Sequence, residues 1–209
     1  VGFWGLTTLV VPRVAGEVAA VVAPLPSSEA FAREVADDLE NGLEGGKDRE
    51  ARVAEITVAM MDKRGFAGAD LFMGEALMGG IELQAEAAYE DEVLDHHFAS
   101  LMDGIARQER VSAWAAAASP AAAVRLVSMA LSGTDFAHHR AFAERAEAYR
   151  RELVLLMNDD FAQNAGDAGW DYKAGPELWA KAPAFSYEPP TVGWSLAHQG
   201  LGLGMLLAW

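Results

Sequence analysis

Cysteine is absent from the chain's 209 residues. That excludes disulfide staples, thiolate metal ligands and cysteine nucleophiles, and it leaves the redox compartment open. Basic residues are scarce: 16 Lys and Arg stand against 31 Asp and Glu, a formal charge of −15. Phosphate backbones are bound through Lys and Arg, so this surface repels nucleic acid, and it repels anionic lipid headgroups too. No stretch alternates polar and apolar residues well enough to make a strand. The sequence has no Gly-x-x-x-x-Gly-Lys-Ser/Thr, no Gly-x-Ser-x-Gly and no His-Glu-x-x-His, and nothing in it assembles a nucleophile, a base and an orienting group. The isolated acidic pairs Asp37-Asp38 and Asp159-Asp160 read as solvated. The expectation is a chain without catalysis, cofactor or bound metal.

What is present is a contrast between the two ends and the middle. Val1–Val11 carries no charge, and neither does Gly200–Trp209. A membrane-crossing helix needs about 20 apolar residues, so each run is roughly half a span. No charged stretch precedes Val1 and no cleavage-type site follows Val11, so a secretory signal fits poorly. Gly200, Gly202 and Gly204 lack the spacing of a nucleotide fingerprint and suit close helix contact inside a membrane. The chain therefore reads as residues 1–11, the end of one membrane helix; residues 12–195, a water-exposed domain; and residues 196–209, the start of a second membrane helix. The competing reading is a soluble protein that packs both apolar ends into its core. Short loops rich in Lys and Arg tend to stay cytoplasmic. An acidic inserted domain is thus compatible with the outer side, although charge alone does not place it there.

The interior reads as helical throughout, and an all-α, elongated antiparallel helical bundle is the simplest architecture. Ser27 or Ser28 suits an N-cap. Phe31, Val35, Leu39 and Leu43 then mark one buried stripe, with Arg33, Glu34 and Asp38 outside it. A second helix spans about Asp48 to Lys63. Gly65–Gly80 is glycine-rich and reads as irregular. From Ile81 to about Ala118, Leu94, Phe98, Leu101 and Ile105 suggest packing against another long helix. Ser119-Pro120 opens a short helix that stops at Gly133. Thr134 or Asp135 caps the last long helix, whose apolar line is Phe142, Ala146, Tyr149, Leu153 and Leu156. Phe98, Leu101, Phe142, Tyr149 and Leu153 are expected to pack together where the two long helices cross.

Residues 166–190 bring Trp170, Tyr172, Trp179, Phe185 and Tyr187 among Gly and Pro. Rings with a polar tip favour the membrane interface, whereas those before Pro183 read rather as a cover over one end of the bundle. The two tryptophans belonging to the apolar ends, Trp4 and Trp194, are the interface candidates. Four of the five histidines come in adjacent pairs, His96-His97 and His138-His139. Neighbours on a helix point about 100° apart, so neither pair chelates one ion compactly. Glu92 with His96 and Asp135 with His138 are two-point sites in spacing only, and the Glu-x-x-His pattern of carboxylate-bridged bundles is missing. Glu82, Glu86 and Glu90 form a line read as a solvated face. Changing both histidine pairs to Gln is expected to cost only modest packing at His97.

Several stretches, taken in order, resemble a known family. They are Leu25-Pro26-Ser27, Asp37-Asp38-Leu39-Glu40 with Gly42, His97-Phe98 with Arg107-Gln108, Ser119-Pro120-Ala121 through Leu126-Ser128-Met129-Ala130-Leu131, Gly133-Thr134-Asp135, and Pro189-Pro190-x-x-Gly193-Trp194. The chain resembles the extracytoplasmic region of ABC transporter permeases of the ABC-2 class that carry a domain of unknown function between their first two membrane helices. The similarity covers almost the whole chain and is weakest between Phe66 and Gly80; the order of the motifs carries it, since none is specific alone. The resemblance implies a protein of several membrane spans that pairs with a second permease subunit and uses a separate cytoplasmic ATPase. This region would lie outside the cytoplasm, periplasmic in a Gram-negative cell, and would gate, receive or hand over a substrate without catalysing a reaction. Membrane lipid would meet its terminal segments. The resemblance identifies no substrate and no site residue. A helical sensor domain that binds a small ligand for a membrane receptor shares the same topology, and a soluble metalloprotein using the histidine pairs is the third reading.

Overall fold

The computed structural model describes residues 6–64, 75–115 and 118–208. Trp4 and the segment Phe66–Gly74 lie outside the described residues. All regular structure among the described residues is helical. The chain divides into two compact units. Val1–Pro26, Ala99–Ala146 and Ser186–Trp209 form the first, and Ser27–Phe98 with Glu147–Phe185 form the second.

The first unit begins with a wide π-helical turn, Leu6–Val10, that runs without a break into α1, Val11–Val22. The turn ends where Pro12, which has no N–H to donate, enters the helix. The expected boundary between residues 11 and 12 therefore falls inside continuous helix. Three further helices belong wholly to this unit: α5 (Pro120–Ser132), α8 (Val192–His198) and α9 (Gly200–Ala208). Ser119 caps α5 by accepting from the Ala122 N–H, and Pro120 occupies its first turn. Gly133, at φ +68°, ends it in the left-handed conformation that glycine adopts freely. The inner face of α5 is Ala122, Ala123, Val127 and Ala130. Side chains this small let the Leu6–Val10 turn, α8 and α9 all settle against it. Both charge-free segments thus belong to one unit and share one supporting helix. Among the described residues no helix is long and apolar enough to cross a membrane.

The second unit contains α2 (Ser28–Asn41) and α3 (Arg49–Lys63), capped by Ser27 and Asp48 through the N–H groups of Ala30 and Ala51. Two long helices, α4 (Glu75–Trp114) and α6 (Phe136–Asn164), give one stretch each to either unit. Within the second unit they run antiparallel. Gly80 abuts Ala162, Gln84 binds Asp159, Asp91 pairs with Arg150, and Asp95 with Arg151. A 3₁₀ turn, Gly166–Asp171, and α7, Pro176–Lys181, follow α6.

Four expectations change here. The last residues of the glycine-rich stretch are not irregular: α4 starts at Glu75, and Gly79 and Gly80 sit inside it. The buried line of α4 is Ile81, Ala85, Tyr89 and Val93, one position earlier and thus about 100° around the helix from Leu94, Phe98, Leu101 and Ile105. Asp38, expected outside, turns inward: its carboxylate meets His97 Nε2 at 2.7 Å, and its carbonyl accepts from the Tyr89 hydroxyl at 2.5 Å. Of the line expected as a solvated face, Glu82 and Glu90 are exposed, whereas Glu86 is half-buried and pairs with Arg49 at 2.5 Å.

The proposed aromatic core between the long helices is also corrected. Phe98 and Phe142 are 44% and 45% exposed. Phe98 packs edge-on to Phe31, Phe142 to Tyr187, and Tyr149 to Phe185. The reason lies in the seam. Where α4 meets α6 in the second unit, Asp91, Asp95, Glu147, Arg150 and Arg151 form a charged network, Gln84 binds Asp159, and Gly80 abuts Ala162. A hydrogen bond from Arg150 holds the Glu147 carboxyl below its usual range; burial opposes this and a second bond from Arg151 adds to it. The rings are left to cover shorter segments. Phe98→Ala is therefore expected to cost about 1–2 kcal/mol in urea denaturation, against about 3–5 for a fully buried ring. A loss of about 3 kcal/mol or more would restore the mutual aromatic core.

Candidate functional site

A buried polar cluster lies where α5 hands over to α6. Gly133 stops α5, Thr134 N–H returns to Met129 O at 2.9 Å, and Asp135 is left at the N-terminus of α6. Its Oδ1 accepts the His138 backbone N–H at 3.0 Å, an ordinary N-cap. The same oxygen lies 2.5 Å from His138 Nδ1. On the far side of the ring, Nε2 is 3.2 Å from the Ser195 hydroxyl of α8. Gln199 donates to Asp135 Oδ2 at 3.5 Å, and Tyr187 donates to the His138 carbonyl at 3.4 Å. Trp194 stands edge-on to the His138 ring at 5.8 Å and stacks on His198 at 3.8 Å. Asp135, His138 and Ser195 are all buried.

This is the acceptor–imidazole–hydroxyl order of a serine-hydrolase triad, but the hydroxyl is enclosed. Ser195 is 2% exposed. Its hydroxyl also donates to Thr191 O at 3.1 Å, the carbonyl one turn back in α8. Three cavities adjoin the cluster: one of about 450 Å³ beside Asp135, His138, His139 and Tyr187, one of about 710 Å³ beside Arg145, Tyr187, Pro190 and Trp194, and one of about 380 Å³ beside Glu109, Asp135, His198 and Gln199. Ser195 lines none of the three. The arrangement is suited to mechanical work. It bolts α8, and through Gln199 the start of α9, onto the first turn of α6.

The charge state fits a bolt. Burial pushes the Asp135 carboxyl upward, yet the hydrogen bonds from the His138 backbone and ring outweigh it and leave the group below its ordinary value. The Asp135 charge reaches Glu109, whose carboxyl is raised first by burial and then by Asp135, with Arg125 opposing.

The other residues singled out in the sequence fall as follows. Trp4 lies outside the described residues. Trp194 is about one-third exposed and belongs to the cluster through its two histidine contacts. Glu92 does not pair with His96; it takes Arg52 at 2.9 Å. His97 is structural, held by Asp38. His138 is structural as well, and more deeply buried than His97, so the loss expected at His97 alone is too small a description. Among the described residues no group of three or more His, Asp or Glu side chains could hold a metal ion. Sequence reasoning noted the Asp135–His138 spacing but missed Ser195 and Gln199. The available signal was a lone hydroxyl between Trp194 and Leu196, one turn after a Thr191 cap.

An all-α protein with a buried polar cluster joining α6 to α8 is the class that this geometry defines. The family model described as Domain of unknown function (DUF3526) matches residues 75–188, more than half of the chain, and the chain belongs to that family. The matched region begins with α4 and contains Asp135 and His138, while Ser195 lies beyond it. None of the curated proteins and none of the solved structures matches.

Proposed function

We propose that this chain is a non-catalytic extracytoplasmic domain of an ABC transporter permease subunit of the ABC-2 class, acting in substrate passage, gating or partner contact during ATP-driven transport. The observation that carries the reading is the placement of the two charge-free segments. The Leu6–Val10 turn and α9 both rest on α5, in one unit, and both keep aliphatic side chains in the open: Leu9 and Val10 on one, Leu207 on the other. Two membrane connections belonging to one unit suit an inserted domain, and open aliphatic side chains suit lipid at its edge. The resemblance of the ordered motifs supplies the permease class. The bolt supplies a working part: movement of α9 is passed through Gln199 and Ser195 to Asp135 and His138, and so to the first turn of α6. Trp4 and Trp194 are the proposed interface rings. The partners are a second permease subunit, a cytoplasmic ATPase and membrane lipid.

The test is a pair of reporter insertions between Glu44 and Gly45, an exposed turn in which Gly45 has φ +75°. Made in the native gene, an alkaline phosphatase insert should be active and a green fluorescent protein insert dark, and the tagged product should purify with an ATP-hydrolysing subunit. A dark-phosphatase, bright-fluorescence result would place the domain inside the cell. Purification without any ATPase would remove the transporter.

A further inference from the structure

Helix α1 is apolar on both faces. Toward its own unit it buries Ala19, with Ala23 just beyond its end. Away from that face, Val14, Val18, Val21 and Val22 are exposed, Val14 at 53% and Val21 at 81%. At 100° per residue these four valines fall within an arc of about 100°. A helix that is hydrophobic around most of its circumference is normally covered on every side. The only charges on α1 are Arg13 and Glu17, both exposed. They lie one turn apart on the same flank of the valine stripe, and among the described residues neither holds an ion pair.

That pattern is self-complementary in one orientation. A two-fold axis near residues 15 and 16 lays a second α1 antiparallel on the first. It brings Val14 beside Val18 of the second copy, and Arg13 beside Glu17 of the second copy, twice over. In an antiparallel helix pair a flank meets the same flank of its partner; in a parallel pair the two flanks fall on opposite outer sides, and both charges would face water. A bilayer fits the same stripe less well. Interfacial helices carry several Lys or Arg on the polar face, whereas α1 has Arg13 alone on a chain of charge −15. We infer that the valine face of α1 is a self-association surface, which pairs two copies of this chain antiparallel through reciprocal Arg13–Glu17 contacts. The inference rests on α1 and not on the transporter reading.

The absence of native cysteine gives a clean test. In sedimentation equilibrium the 209-residue chain should dimerise. R13E and E17R should each raise the dissociation constant about tenfold, since each variant turns two attractions into two repulsions. The swap R13E/E17R should return it to near the parent value, an outcome that damage to the fold would not produce. An equimolar mixture of Val14→Cys and Val18→Cys chains should oxidise to the mixed disulfide ahead of either like pair. A chain that stays monomeric, a swap that fails to restore pairing, or a preference for like pairs would each overturn the inference. Flotation of the monomeric chain with phosphatidylcholine vesicles would assign the stripe to a bilayer instead.

Discussion

Replacing Gly80 with leucine is expected to unfold the second unit, with a loss above about 3 kcal/mol, and even Gly80→Ala is expected to destabilise it. Gly80 is buried in α4 against Ala162 of α6. A methyl group placed there would overlap the Ala162 side chain and come within 2.9 Å of the Ala162 Cα and 3.2 Å of its nitrogen. Backbone cannot swing aside as a flexible side chain can. The helices must separate, and overpacking of this kind costs about 1–3 kcal/mol for a small group and more for a larger one. Against this, alanine gains about 1 kcal/mol over glycine in helix propensity, which the overlap exceeds. Gly16 provides the control: it lies in α1, and a methyl group added there would meet nothing within 4 Å, so Gly16→Ala should stabilise by about 0.5–1 kcal/mol. Chemical denaturation of the three variants would read this directly. A neutral Gly80→Ala would mean that α4 and α6 do not approach this closely.

Gly80 also marks the limit of what pattern alone reveals. Helix starts and stops were legible wherever a local signal sets them. Ser27 and Ser119 cap as expected, Asp135 proves to be the cap between the two candidates, and Gly133 ends α5. These depend on neighbours within four residues, so the sequence carries them in full. The face that a helix buries depends on what arrives from elsewhere in the chain. On α4 the bulky line through Phe98 looked like the core, yet the buried line runs through Tyr89, because Asp38 reaches across to bind Tyr89 and His97. A polar-tipped ring is hidden in that position only because its hydroxyl has an acceptor, and hydropathy does not record acceptors. Glycines that permit helix contact likewise look the same in sequence as glycines that break helices.

The buried bolt was half legible. Asp135 and His138 are three apart, and that spacing alone puts a carboxylate within reach of the ring. Ser195 and Gln199 arrive 57 and 64 residues away from their partners, through a helix whose composition is otherwise apolar. The apolar termini were visible as composition, but the shared support of α5 beneath both follows from its run of alanines, which reads in sequence as weak amphipathicity rather than as a docking face.

Asp135→Ala is expected to lower the stability of the first unit by about 3–4 kcal/mol. The loss combines a missing helix cap, about 1 kcal/mol, with a buried imidazole N–H and the Gln199 amide left without their acceptor, about 1–3 kcal/mol. Ser195→Ala should cost only about 1 kcal/mol. The Thr191 carbonyl keeps its bond from the Ser195 backbone N–H at 2.9 Å, and His138 remains held by Asp135. The pH dependence gives an independent check. The folded Asp135 carboxyl sits below its ordinary value, so its contribution is present above about pH 4, the unfolded value, and is lost as pH falls through the lower folded value. Stability measured from pH 6 to pH 2 should fall less steeply at the acid end in Asp135→Asn than in the parent. An acid limb that is unchanged, together with an Asp135→Ala loss below about 1 kcal/mol, would show that the cluster is not the bolt between α6 and α8.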